Sequence, residues 1–388
     1  MKRRDFLKSC GSAALVAWPA ARAARAQTQP AAPAAPRIRF AAIGLNHGHI
    51  YNQVDTVINA GGQLVSYYAK EPDLAAAFAK RYPTATLRRG EREILEDPTI
   101  QLVVSASIPN ERAPLGVDVM RHGKDFMVDK PAATTLAQLD ELRRAQAETK
   151  RIFSVLIERH ESKSITRAGE LVASGAIGQV VQTIGLAPHR ISASTRPPWF
   201  FERARYGGIL CDLASHNLDA FLFLTKSTRA EVVAAQVGNV HHPANPELED
   251  FGDVMLRGNG GSGYIRVDWF TPDSLNTFGD GRIIVLGTDG YIELRKNVDI
   301  AGRPGGNHLF LVDHKQARYI SCEDVQLLYG KRLLDDVIQR TETSSSQAQT
   351  FLAMELALIA QQRAQRIGAG KRIEPAADAL PRDMGRVR

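Results

Sequence analysis

Cysteine is scarce: the 388 residues hold three, at positions 10, 211 and 322, and none stands in a CxxC pair. That excludes a disulfide framework or a Cys-based zinc site and leaves Cys211 and Cys322 as expected buried thiols. Long apolar runs are missing as well. The one near the start, residues 13–17, falls far short of the ~20 residues a spanning helix needs. Charge of one sign is equally scant once the first 26 residues are set aside. Those hold Lys2, Arg3, Arg4, Lys8, Arg22 and Arg25 against Asp5, net +5 of the total +7. The remainder, near +2, requires neither nucleic acid nor an anionic surface as partner.

What stands at the N-terminus has the layout of a leader. Arg3 and Arg4 precede the short apolar run, and Ala24-Arg25-Ala26 offers small residues where a signal peptidase reads. The paired arginines point to the twin-arginine route, so the expectation is a signal peptide over 1–26, folded export and a periplasmic protein. The bland alternative is an ordinary basic N-terminus. Residues 27–37, rich in Ala and Pro, read as an extended arm, and 371–388 as a charged tail.

From residue 38 the texture alternates. Apolar strands are predicted at 38–43, 63–68, 101–105, 125–128 and 152–157, with helices between them to residue 60 and at 72–81, 91–95, 110–122 and 136–150. Alternation with short connections predicts an α/β fold: a doubly wound parallel Rossmann sheet over 38–157. Beyond it, helices at 163–174 and 212–224 precede alternating strands at 231–240, 251–256, 263–270, 283–286 and 291–294. That pattern predicts a C-terminal α+β domain over 158–370 built on a large, mostly antiparallel open sheet. Helices at 323–340 and 347–366 close the chain, and no internal repeat is visible.

Glycine is missing where a phosphate loop would want it. The first βα turn reads Gly44, Asn46, His49 at the three fingerprint positions, so two glycines are replaced. Asn46 tolerates the turn, and Gly48 would have to relieve crowding from His49. A generic βα turn is the competing reading. No acidic residue closes the second strand; Ala69-Lys70 stands there, and Lys70 tilts the expectation towards a 2′-phosphate and NADP. A solvated loop lysine is the alternative. Asp129-Lys130-Pro131 ends a central strand, where ligands of open α/β sheets bind, and places an amine that can polarise or protonate an oxygen.

On an ideal helix Asp212, His216 and Asp219 share one narrow face, so His216 would exchange a proton while a flanking carboxylate orients it. A capped helix start with a satisfied histidine is the structural alternative. Arg196-Pro197-Pro198-Trp199 offers an aromatic face for a sugar ring, against a packed loop. His47 and His49, two residues apart, do not share a helix face, so no metal site is expected from them.

Lys130 in Asp-Lys-Pro, followed by Gly207-Gly208-x-Leu210-x-Asp212-x-x-x-His216-x-x-Asp219, resembles the Gfo/Idh/MocA oxidoreductases. The similarity includes Ser107-Ile108-Pro109-Asn110, Val172-Ala173-Ser174-Gly175-Ala176-Ile177-Gly178 and Gly287-Thr288-Asp289-Gly290; Asp129 stands where the family usually has Glu. The resemblance implies NAD(P) held by Gly44, Asn46, His47, Lys70, Pro109, Asn110, Asp129 and Lys130. It also implies catalysis by Lys130, Asp212 and His216, with His216 as general base, and a substrate site including Arg159, Asp212 and His216, to which the aromatic loop reading adds Trp199. A tightly held cofactor would suit an exported enzyme that meets no nucleotide pool. The expected activity is hydride exchange with a secondary alcohol of a sugar, cyclitol or sugar acid, in a homo-oligomer (dimer or tetramer) assembled through the C-terminal sheet, with the arm embracing a neighbour. Redox-neutral glycoside cleavage through transient oxidation at C3 is a second reading. A sugar-binding protein that has lost the cofactor is a third.

Overall fold

A computed structural model describes residues 35–368; the expected leader, the arm before residue 35 and the tail lie outside the described residues. The first sheet takes β1 (Ile38–Ile43), β2 (Gly62–Tyr68), β3 (Thr86–Leu87), β4 (Leu102–Ser105), β5 (Asp125–Asp129) and β6 (Phe153–Leu156). Its order is β3-β2-β1-β4-β5-β6, all parallel, so the strand order reverses between β1 and β4. Helices α1 (His49–Asn59), α2 (Pro72–Arg81), α3 (Glu91–Leu95), α4 (Pro109–Arg121) and α5 (Leu136–Thr149) connect the strands. β4 and β5 are buried along their whole length, as strands covered on both faces must be. Pro109 sits in the first turn of α4, where its missing N–H costs nothing, and Thr135 caps α5 by accepting from the Gln138 amide at 3.2 Å.

The second sheet has nine strands: β7 (Val180–Pro188), β8 (Ala230–Asn239), β9 (Phe251–Gly258), β10 (Gly261–Asp268), β11 (Arg282–Gly287), β12 (Gly290–Arg295), β13 (His308–Asp313), β14 (Ala317–Ile320) and β15 (Gln365–Gly368). Most pairs are antiparallel, but β7 runs parallel to β10 and β8 to β15. Its inner face packs on α6 (Lys163–Ala173) and α8 (Ser215–Thr225); a short α7 (Arg203–Tyr206) precedes the latter. Gly185 of β7 leaves room for α8, because a Cβ there would press on the Asn217 side-chain amide and force it to move. The expected strands miss β3 of the first sheet and β7, β13, β14 and β15 of the second.

Two closing helices complete the core, and the second of them touches both domains. α9 (Tyr329–Gln339) buries Leu333, Leu334 and Val337 with Ile38 and Phe40 of β1, and α10 (Gln347–Arg363) packs on α5, α8 and β8. Each such fully buried side chain contributes roughly 1.5–3 kcal/mol. The helix expected from 323 starts at Tyr329, and the one expected to 366 stops at Arg363, where the chain turns into β15. Cys211 and Cys322 are buried and free, and burial raises the Cys211 thiol to about 12. Among the described residues no helix is long and apolar enough to cross a membrane.

Candidate active site

The C-terminal end of β5 is fastened by a residue that no sequence motif marks. Arg112, on the inward face of α4 and 1% exposed, donates to the Ser107 carbonyl (2.7 Å), the Pro131 carbonyl (3.1 Å) and Asp129 Oδ2 (2.9 Å). It also donates to the carbonyl of Lys130, so one guanidinium locks the backbone that aims the lysine. Burial would raise Asp129, but Arg112 and His49 hold its carboxyl well below the usual carboxylate range. Breaking such a buried pair typically costs ~3–5 kcal/mol. The only signal in the sequence is an arginine on the apolar side of a helix.

Lys130 Nζ donates to Asp212 Oδ1 at 2.6 Å, and both side chains are largely buried. Burial would raise Asp212, yet the Lys130 ammonium keeps it below its ordinary value. The helix carrying Asp212 is not the regular one expected. Residues Leu210–Ala214 form a π turn before α8 begins at Ser215. The widened turn breaks the 100° spacing on which the shared face was reckoned. Asp212 turns to Lys130 instead of His216. Asp219 faces the interior, fully buried, where it pairs with Arg159 and accepts from Gln349 at 2.9 Å.

Among the described residues no carboxylate bonds His216. Its Nδ1 accepts the main-chain N–H of Glu158 at 3.0 Å. In the neutral ring the proton therefore sits on Nε2, which has no hydrogen-bond partner among the described residues. Burial first, and the Lys130 charge second, press the imidazole well below its normal pKa, so it stays neutral. His189 is arranged the opposite way: Nδ1 bonds the Ala187 carbonyl at 3.0 Å, which leaves Nε2 as an acceptor, and burial lowers it to about 4.

His47 and His49 do converge, contrary to expectation, because only His49 is helical while His47 lies in the preceding turn. Their rings are 4.1 Å apart, and both Nδ1 atoms face Asp129, at 3.4 Å and 2.9 Å. With Asp129 they form a group of potential ligands whose atoms lie within 4.8 Å of one another. Arg112 already neutralises that carboxylate and Lys130 stands beside it, so the group is satisfied as a hydrogen-bonded cluster. Since His49 reaches Asp129, its presence at the third fingerprint position brings no crowding, and Gly48 has open space around it.

These residues wall a pocket of about 370 Å³ that includes His47, Lys130, His189, Asp212, His216 and Lys296. Lys296 is paired with Glu158 at 3.1 Å. Two expected substrate residues do not line it. Arg159 is turned inwards to Asp219, and Trp199 is buried against Phe200. The aromatic wall is made by Phe200, Trp269 and Phe278 instead. His189 and Trp269 directly follow β7 and β10, whose last residues, Pro188 and Asp268, are parallel register partners. Their rings meet edge to face at 5.7 Å. With no strand expected at 180–188, the sequence could not foretell that meeting.

A second cleft opens at the switch point between β1 and β4, lined by Gly44, Asn46, Lys70, Glu71, Ser107 and Asn110. Gly44 has φ +75°, and a Cβ there would strike Ser107, so the backbone approach is kept clear. Asn110 Oδ1 is buried without a partner, as an acceptor waiting for a ligand would be. Both features fit a dinucleotide in the groove favoured by open α/β sheets. Lys70 is ion-paired with Glu111 at 3.1 Å rather than free, and Asn46 donates to Glu71 Oε1 at 2.8 Å. Pro109 starts α4 beside this groove, while His47 belongs to the neighbouring pocket.

Residues 38–157 match the model of an oxidoreductase family with an NAD-binding Rossmann fold, GFO_IDH_MocA, and 165–293 match the GFO/IDH/MocA C-terminal domain. A crystal structure from Erwinia carotovora atroseptica SCRI1043, provisionally described as an oxidoreductase, is 44% identical with TM-score 0.83, covering 85% of this chain and 99% of that one. The scyllo-inositol 2-dehydrogenase (NAD(+)) of Bacillus subtilis strain 168 is 24% identical over 264 residues, 66% of this chain and 73% of that enzyme. The levoglucosan dehydrogenase of Pseudarthrobacter phenanthrenivorans is 24% identical over 200 residues, 51% of either chain. Against most such relatives the chain spans about half of their length.

Proposed function

The chain belongs to the Gfo/Idh/MocA oxidoreductase family, and from that premise we propose that it is an NAD-dependent dehydrogenase acting on a ring hydroxyl of a carbohydrate. The observation that supports this most is the Lys130–Asp212 pair, 2.6 Å apart, in the wall of a pocket next to the dinucleotide groove. NAD(P), when bound, supplies the hydride acceptor or donor. Gly44, Asn46, Ser107 and Asn110 would hold it. Lys130 Nζ gives a proton to the substrate oxygen in reduction and takes it back in oxidation, while ionised Asp212 steadies the ammonium form. His216, protonated on Nε2, donates to the same oxygen as charge develops. This differs from the sequence expectation that His216 is the base.

The acidic surroundings of Lys70 move the cofactor reading from NADP to NAD. Glu71, Glu91 and Glu111 line the groove beside it, which suits ribose hydroxyls and repels a 2′-phosphate. We propose further that the chain is exported folded by the twin-arginine route with its dinucleotide held tightly, supported by Arg3-Arg4 and the Ala24-Arg25-Ala26 site. The test is to purify the exported protein without added nucleotide, denature it and identify what is released by mass. One NAD per chain is the expected result. An emptied protein should rebind NAD at least ~10-fold more tightly than NADP, about 1.4 kcal/mol. Failure to hold or bind either nucleotide would overturn the dehydrogenase reading.

A further inference from the structure

Among the described residues Arg196 is the cation of the pocket that no carboxylate answers. Lys130 is paired with Asp212, Lys296 with Glu158, and Arg112 with Asp129. Among the described residues no carboxylate comes within ion-pair distance of Arg196. Its Nε donates to the Ile191 carbonyl at 2.8 Å, and its two terminal nitrogens have no protein acceptor. The guanidinium is instead held over three aromatic rings, 4.4 Å from Phe200, 5.2 Å from Trp269 and 5.6 Å from Phe278.

Cation–π contact answers the charge in part but none of the terminal N–H donors. Burying an arginine this way has a cost: burial lowers it below its ordinary pKa, and the carboxylate whose charge reaches it, Asp212, already serves Lys130. A planar fork with free donors at a pocket wall matches one ligand chemistry best, the two oxygens of a carboxylate. The volume, about 370 Å³, is at the small end for ligand sites and suits one sugar ring. Glu158 and Glu161 also line the pocket, so a monoanion is tolerated there better than a dianionic phosphate.

We propose that the substrate is a sugar acid whose carboxylate is bound by Arg196, with the reacting hydroxyl at Lys130. The inference deepens the dehydrogenase reading and rests on it for the reaction, though not for the binding. It is tested with D-glucuronate and D-galacturonate against D-glucose, D-galactose and the methyl ester of D-glucuronate. Affinity is read from the fluorescence of Trp269 in the pocket wall, and turnover with NAD from absorbance at 340 nm. Free acids should bind roughly 10- to 100-fold more tightly than the neutral hexoses or the ester, the range a charged hydrogen-bonded contact supplies. Arg196→Met, which can still pack on the aromatic rings, should erase that difference, and Arg196→Lys should restore part of it. Because the ester comparison needs no variant, a misfolded Arg196→Met does not spare the idea. Equal affinity for acid and ester, or an acid preference that survives in folded Arg196→Met, would overturn it. If neutral hexoses reduce NAD while uronates neither bind nor react, the dehydrogenase stands and this inference falls. If uronates bind through Arg196 but NAD is never bound, the reverse holds.

Discussion

Lys130, Asp212 and His216 can be picked from the sequence by residue type and position, but their hydrogen bonds cannot. The direction of one amide decides the chemistry of His216: because the Glu158 N–H points at Nδ1, the ring faces the pocket as a donor. That assignment has a kinetic consequence. His216→Gln keeps a donor at the same place, so we expect kcat to fall only about 10-fold, equivalent to one modest hydrogen bond. Lys130→Ala removes the proton-transferring group, and kcat should fall by on the order of 10³. Steady-state kinetics on both variants, with NAD titrations as control, separate the roles. Equal losses for the two would return the histidine to the part of general base. Arg159 shows the limit from the other side. Its position suggested a ligand contact, but a buried Asp219 had the stronger claim on its charge, and only the folded packing reveals that.

At the scale of elements, periodicity served well wherever one face is buried and the other solvated, and failed where the chain departs from regular spacing. The π turn at Leu210–Ala214 is such a departure, since its residues do not differ in type from those of an ordinary helix. Short edge strands such as β14 and β15, four residues each, carry too little alternation to stand out. The nine-stranded sheet is more informative. On its outer face one row of direct register partners runs Met255, Tyr264, Ile184, Ile284, Glu293, Phe310, Tyr319 across seven strands. Met255 is 50% exposed, and Tyr264, Ile184, Ile284 and Phe310 are partly so. Apart from Glu293 the row is apolar or aromatic; such a stretch on a solvated face is a surface for association, and we propose that a second copy covers it. Light scattering on the purified protein should give a dimer or larger assembly. Ile184→Glu with Ile284→Lys should shift it to monomer at micromolar concentration with little loss of secondary structure by circular dichroism. A monomeric wild type would refute the pairing.

The whole molecule should respond to acid through its histidines before its carboxylates. His47, His160, His189 and His216 are all depressed, chiefly by burial, to about 3 for His47, about 4 for His189 and well below normal for the others. Such a ring is neutral in the native chain but takes a proton on unfolding once the pH drops below ~6.5. The unfolded state then binds more protons, so the stability these rings contribute is whole above that pH and is lost as pH falls towards their folded values. Each can contribute a slope of up to ~1.4 kcal/mol per pH unit. Asp129 and Asp212 are depressed too, but their contribution is intact until the pH nears the unfolded carboxylate value of ~3.9. Asp125, Glu161 and Asp268, raised by burial, bind protons in the native chain near that range and offset part of the loss. The expected result is a fall in Tm on the order of 10 °C between pH 7 and pH 5, followed by differential scanning calorimetry. His160→Phe isolates one ring, since it keeps the stack on Tyr329, 3.9 Å between centroids, and removes a titrating group. It should flatten the slope by about one proton. A Tm that holds level from pH 7 to pH 5 would mean that these histidines reach water and protons in the native state, and with that the neutral His216 on which the donor role depends would lose its support.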